Sequence, residues 1–268
     1  MNRIDRIFDE LRSADRAALM PFITAGYPDL DTTAALLPAA QAAGASVCEL
    51  GVPFSDPIAD GPVIQASMTE ALKKGVHPRD IFEMVRAQRD ALDLGLVAMV
   101  SYSIPYRIGV KKFVADAADA GIDGFIFPDL PLEEAPDVNA LVADAGLTST
   151  LLIAPTTPDA RAVAIAKACT GFVYVVARTG ITGERTDLPE GLTARLEKLR
   201  GVTELPIAVG FGVSKPEHVA AVTAVADAAI VGSAVVRRIA EKPDAGPDAI
   251  ARHVGAFFSE LHTGLRGA

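Results

Sequence analysis

Residues 207–234 read IAVGFGVSKPEHVAAVTAVADAAIVGSA. The apolar run Ile207–Gly210 stops at glycines. Ser214-Lys215-Pro216-Glu217 then supplies a capping serine and an early proline ahead of the helix-like HVAAVTAVAD. A second short run, Ala228–Val231, follows and ends on Gly232-Ser233. Working outward, the same alternation fills the chain. Further strands are expected at Leu19–Thr24, Ser46–Leu50, Leu96–Ser101, Gly124–Phe127, Ser149–Ile153 and Phe172–Ala177, each followed by a helical stretch. Gly44, Gly121 and Gly146 stand where left-handed helix terminators belong, just before the next strand. A doubly wound open sheet also alternates strand and helix, but a dinucleotide fold wants G-x-G-x-x-G after the first strand, where this chain has Thr24-Ala25-Gly26-Tyr27-Pro28. About eight units in 268 residues, with no linker or composition break, favour a single-domain (β/α)8 TIM barrel over residues 1–268. The start, MNRIDRIFDELRSADR, adds an N-terminal helix with Ile4, Ile7, Phe8 and Leu11 on one face. Pro38, inside TTAALLPAAQAAG, is expected to kink its helix.

Composition narrows the partners. The formal net charge is −9, which disfavours nucleic acid, since phosphate neutralisation needs clustered Lys and Arg. No apolar run approaches a membrane span, and the charged start is unlike a signal peptide, so a cytoplasmic protein is expected. Cys48 and Cys169 fall in apolar elements and read as buried free thiols.

Barrel chemistry sits at the carboxyl ends of the strands. Those ends offer Glu49, Tyr102, Asp129, Thr156-Thr157, Arg178-Thr179 and the glycines Gly210, Gly212 and Gly232. No lysine falls in or directly after an expected strand, leaving a Schiff-base mechanism without its amine. No His/Asp/Glu group has metal-ligand spacing. Proton transfer is left to the acids of residues 49–61, ELGVPFSDPIADG, aided by Tyr102 or Tyr174. An acid at the end of a buried strand is costly to ionise without partners, which marks Glu49 as functional. If Glu49 points into the barrel, Cys48 and Leu50 point toward the helices. Asp56, before Pro57, reads equally well as a turn residue or as a site residue. The glycine turns after the seventh and eighth strands lie where this fold binds phosphate, and Ser233 opens a helix whose free amides suit an anion. Residues 178–185, RTGITGER, read as a lid.

Together these motifs resemble the tryptophan synthase alpha-chain family. ELGVPFSDPIADGPVIQ matches its signature around two catalytic acids. PFITAGYPD, FPDLPLEE, APTTP, ARTGITG, GFGVS and VGSA follow in order over essentially the whole chain. The resemblance implies a cofactor-independent lyase performing retro-aldol cleavage of indole-3-glycerol phosphate, with Glu49 as acid/base and Asp60 holding the indole N–H. It implies substrate contacts from Phe22, Tyr174, Thr182, Gly183, Phe211, Gly212, Gly232 and Ser233. It also implies a beta-chain partner, in a heterotetramer of two alpha and two beta chains, contacted through Asp56, Pro57, Asp129 and Pro131. Pyridoxal phosphate would belong to that partner alone. One departure is Tyr102-Ser103-Ile104-Pro105, where the family usually has Tyr-x-Asn-Pro. Two rivals stand beside this reading: a sugar-phosphate isomerase or epimerase barrel, and a chain that mainly activates a beta subunit.

Overall fold

A computed structural model describes residues 2–58, 60–177, 188–210 and 212–267. Its strands are β1 (Ala18–Thr24), β2 (Val47–Gly51), β3 (Gly95–Met99), β4 (Gly124–Phe127), β5 (Thr148–Ile153), β6 (Val173–Val176), β7 (Ile207–Gly210) and β8 (Ala228–Val231). All pair in parallel and in sequence order, and β8 pairs with β1 to close the barrel. Closure decides between barrel and open sheet. The helices on the first half are α1 (Arg3–Ser13), α2 (Leu30–Ala42), α3 (Pro62–Lys73), α4 (Pro78–Gln88), α5 (Ser103–Ile108) and α6 (Val110–Ala120). Those on the second half are α7 (Ala135–Asp144), α8 (Asp159–Ala168), α9 (Leu192–Arg200), α10 (Pro216–Thr223), α11 (Ser233–Ala240) and α12 (Pro247–His262).

Alternation along each strand divides the core in two. Cys48 and Leu50 pack outward, into the apolar layer between sheet and helices. Val47 points inward and joins Met20, Val97, Ile126, Tyr174, Ala208 and Ile230 inside the barrel. The same period sends Glu49 inward. Helix α1 closes the amino-terminal end of the barrel with Ile4, Phe8 and Leu11. Its asparagine cap, Asn2, donates from Nδ2 to the carbonyls of Asp123 (2.9 Å) and Gly146 (2.7 Å), just ahead of β4 and β5. Arg3 reaches the Asp123 carboxylate at 3.4 Å. With that end plugged, the site is left to the carboxyl ends of the strands.

The expected terminators behave as such: Gly44, Gly121 and Gly146 take φ of +86°, +89° and +75°. Helix α2 continues on both sides of Pro38, which lies on its exposed face, where water can solvate the Ala34 carbonyl that loses its helical donor. Both cysteines are free and buried. No helix of the described residues is long and apolar enough to cross a membrane.

Candidate active site

Glu49 lies on β2, two residues before the strand ends at Gly51. It is fully buried, and neither carboxylate oxygen has a hydrogen-bond partner among the described residues. Burial alone pushes its pKa up to about 8, because nothing nearby compensates the lost hydration of the charge. At neutral pH the side chain is therefore a neutral acid. An unpartnered buried carboxyl is an expensive feature for a fold to keep. Its Cα pairs in register with Phe22 of β1 and Val97 of β3.

Asp60 stands in the loop from β2 to α3, half-buried, and burial raises its pKa as well. Tyr174, on β6 across the barrel, is raised well above its ordinary value by burial, then by the charges of Glu49 and Asp60. All three groups thus sense one space.

Phe22, Met68 and Val236 form an apolar patch at this end of the barrel, with Phe54, Ile64 and Met99 against it. The Phe22 ring lies so close to Gly51 that a Cβ there would sit 2.3 Å from Cζ, so the wall requires a glycine. A Cβ on Gly210 would come 3.1 Å from the Tyr174 hydroxyl oxygen.

Two strands round the barrel from β2, Gly232 caps α11 at the end of β8, with Ser233 as its first residue. The first amides of a helix have no acceptor within it, and here they begin directly at a strand's carboxyl end. Gly212, after β7, has φ +75° and open space where a side chain would be. The loop holding it is pinned by the buried His218, whose Nδ1 accepts from the Ser214 amide at 3.3 Å.

The surface residues divide. Asp56 is exposed and accepts from the Ser55 hydroxyl at 2.6 Å. Pro57 follows, and Ile58 beside it is 93% exposed. Asp129 accepts from the Ser101 hydroxyl (2.6 Å) and the Tyr102 amide (2.8 Å), tying the ends of β3 and β4 together. Pro131 is exposed in the same turn. Tyr106 and Ile108 of α5 are also exposed, whereas Ile104 packs inward against the outer core. Thr182, Gly183 and the rest of the expected lid, with Phe211, lie outside the described residues.

Several residues that hold the site were not singled out from the sequence as site residues. Gln65 donates to the loop of Asp60, and Thr24 shares a 2.7 Å hydroxyl contact with Ser67. Among the described residues no group of three or more His, Cys, Asp or Glu side chains is arranged to hold a metal ion.

Comparison with known proteins decides the family. A family model described as tryptophan synthase alpha chain matches residues 8–263. The chain belongs to the tryptophan synthase alpha-chain family. It is 45% identical to the tryptophan synthase alpha chain of Rhodopirellula baltica, with 100% of both chains covered. With that of Thermosynechococcus vestitus it shares 47% identity over 98% of this chain and 97% of the relative. Among solved structures, Mycobacterium tuberculosis tryptophan synthase superposes with a TM-score of 0.90 at 34% identity, covering 99% of each chain. The alpha subunit from Legionella pneumophila gives 0.88 at 34% identity, covering 98% of each.

Proposed function

We propose that Glu49 and Asp60 divide the chemistry of the alpha-chain lyase reaction, the cleavage of indole-3-glycerol phosphate to indole and glyceraldehyde 3-phosphate. The observation that carries the assignment is the unpartnered, buried carboxyl of Glu49, neutral at pH 7 and facing the barrel interior beside Phe22.

The reaction needs a proton added at indole C3 and one removed from the adjacent side-chain hydroxyl. Glu49 in its acid form gives its proton to C3, which moves positive charge onto the ring nitrogen. The resulting carboxylate then takes the hydroxyl proton. As the carbonyl forms, the bond to C3 breaks, and its electron pair restores the ring and neutralises the nitrogen. Glu49 ends protonated, as it began. A pKa near the operating pH suits a group that must both give and accept. Asp60, nearer the solvent, accepts the indole N–H and stabilises the positive charge on the protonated ring. Phe22 and Tyr174 supply the apolar wall for the indole, with Phe211 assigned there by its family position.

Gly212, Gly232 and Ser233 receive the phosphate through amides rather than basic side chains, which fits a chain with a net charge of −9. Thr182 and Gly183 are assigned by family position to the lid and its phosphate contact. No step of this scheme draws on a cofactor, and pyridoxal phosphate belongs to the partner.

The partner in this reading is a beta chain, in a heterotetramer of two alpha and two beta chains. It seats on Asp56, Pro57, Asp129 and Pro131. The exposed Ile58, Tyr106 and Ile108 supply the apolar area such a contact needs. Because Ile104 turns inward, the hydrogen bonds of the usual asparagine are replaced by packing within the chain.

The test is indole release from the complex with its cognate beta chain. Removing the proton donor as Glu49→Gln is expected to lower kcat by about 10²–10⁴-fold while substrate still binds. Turnover near the unsubstituted rate would show that another group moves the protons.

A further inference from the structure

The loop joining β2 to α3 carries Asp60 near its end and the exposed Asp56-Pro57-Ile58 tip before it. Within it the Ile58 amide donates to the Asp56 carbonyl and the Asp60 amide to the Pro57 carbonyl, at 2.8 and 3.1 Å. These turns shape the loop but do not attach it to the barrel. At its start the Val52 amide donates to the Met99 carbonyl of β3 at 2.9 Å; at the Asp60 end the attachment comes from α3. Gln65 Nε2 donates to the Pro57 carbonyl at 3.1 Å and to the Asp60 carbonyl at 2.8 Å. One amide group, with its two hydrogens, thereby closes the loop onto the helix that follows it. The Gln65 backbone amide donates to the Gly61 carbonyl at 2.9 Å, which places this side chain in the first, well-anchored turn. The helix is in turn held to β1: the Ser67 hydroxyl lies 2.7 Å from that of Thr24, and both residues are buried. A continuous line of bonded groups therefore runs from the barrel wall to the backbone of Asp60.

We propose that Gln65 is a positioning residue for Asp60, holding its carboxylate at the barrel mouth and linking it through one amide to the Pro57 tip. The proposal rests on the role assigned to Asp60 above. Gln65 does not touch the reacting atoms; it acts on the rate through the acid it holds. Asp60 is half-buried at a loop end, and this loop, with Pro53, Pro57 and Gly61, makes few internal bonds among its described residues. Losing both carbonyl contacts frees the carboxylate to swing toward water, where it stabilises charge on the ring far less well.

A double-mutant cycle tests this in the complex with the cognate beta chain, reading indole release and melting temperature. Gln65→Met keeps the side chain's length and removes both donors. It is expected to lower kcat about ten-fold with little change in KM or melting temperature. In an Asp60→Asn background the same change should alter kcat by less than about two-fold, since the group it positions is already disabled. An equal loss in both backgrounds, or an unchanged kcat in the first, overturns the proposal while leaving Asp60 in its role. Asp60→Asn retaining the full rate on its own would instead remove the role of Asp60, and the proposal with it. If Gln65→Met fails to fold, Gln65→Glu, which also lacks the donors, carries the same cycle.

Discussion

Glu49 shows what one residue can ask of a fold. Its carboxyl has no partner among the described residues and titrates near 8 instead of 4.5. Between those values the folded chain binds a proton that the unfolded chain has lost. Stability from this group is fully present below about pH 4.5 and drains away as pH rises through the folded-state pKa. Glu49→Gln is uncharged throughout, so its stability relative to the unsubstituted chain should rise between pH 5 and pH 8 by about 3 kcal/mol. In a chain of this size that is a relative gain on the order of 6–12 °C in melting temperature. Thermal melts of both proteins at the two pH values measure it, and a difference independent of pH would mean Glu49 ionises freely in the folded state. Loss of activity with a gain in stability is the signature of a group retained for chemistry. At this scale the acids were legible from residue type and place: Glu49 after an apolar run, Asp60 in a proline- and glycine-rich loop. Gln65 was legible only as the last residue of the ELGVPFSDPIADGPVIQ stretch; its task was not, because a glutamine in an early helical turn is ordinarily a solvated residue, and only the position of two carbonyls distinguishes it.

Among the elements, α1 illustrates how an added helix shapes function without touching the mouth. Its apolar face enters the barrel, where the Phe8 and Phe172 ring centroids lie 6.0 Å apart. Phe8→Ala should destabilise the chain by about 3–5 kcal/mol, read as a lower denaturant midpoint, because a rigid barrel floor cannot collapse into the void. A cost below about 1 kcal/mol would show that α1 packs loosely. The strands themselves were readable from alternation to within two residues at each end. β3 ends at Met99 rather than Ser101, since the chain turns there: the Ser101 hydroxyl and Tyr102 amide are drawn to Asp129 at the end of β4. β6 stops at Val176, before the expected Ala177. The helix carrying Pro38 continues through it with the proline on its exposed side, and which side a residue takes is a tertiary property.

For the whole molecule the asymmetry of the two barrel ends matters most. One end is closed by α1 and the Arg3–Asp123–Arg89 cluster, the other bears the acids, the glycine turns and the exposed apolar residues of the proposed partner face. Since Ile58 contributes little to the fold, Ile58→Glu should leave the melting temperature within about 2 °C while weakening beta-chain association ten-fold or more. Titration by calorimetry decides it, and unchanged affinity would place the partner elsewhere. The alternation of strands and helices, the terminating glycines and the order of the acid and glycine motifs are local, periodic features, so the amino-acid sequence by itself determined the barrel and its family and nominated the two candidate acids. Which residues meet across the barrel is not periodic. The neutral state of Glu49, its shared space with Asp60 and Tyr174, the glycine demanded by Phe22, and the hold of Gln65 on the Asp60 loop were decided only by tertiary structure. Desolvation and hydrogen bonding depend on neighbours that are distant in the chain and adjacent only once the eighth strand has closed on the first.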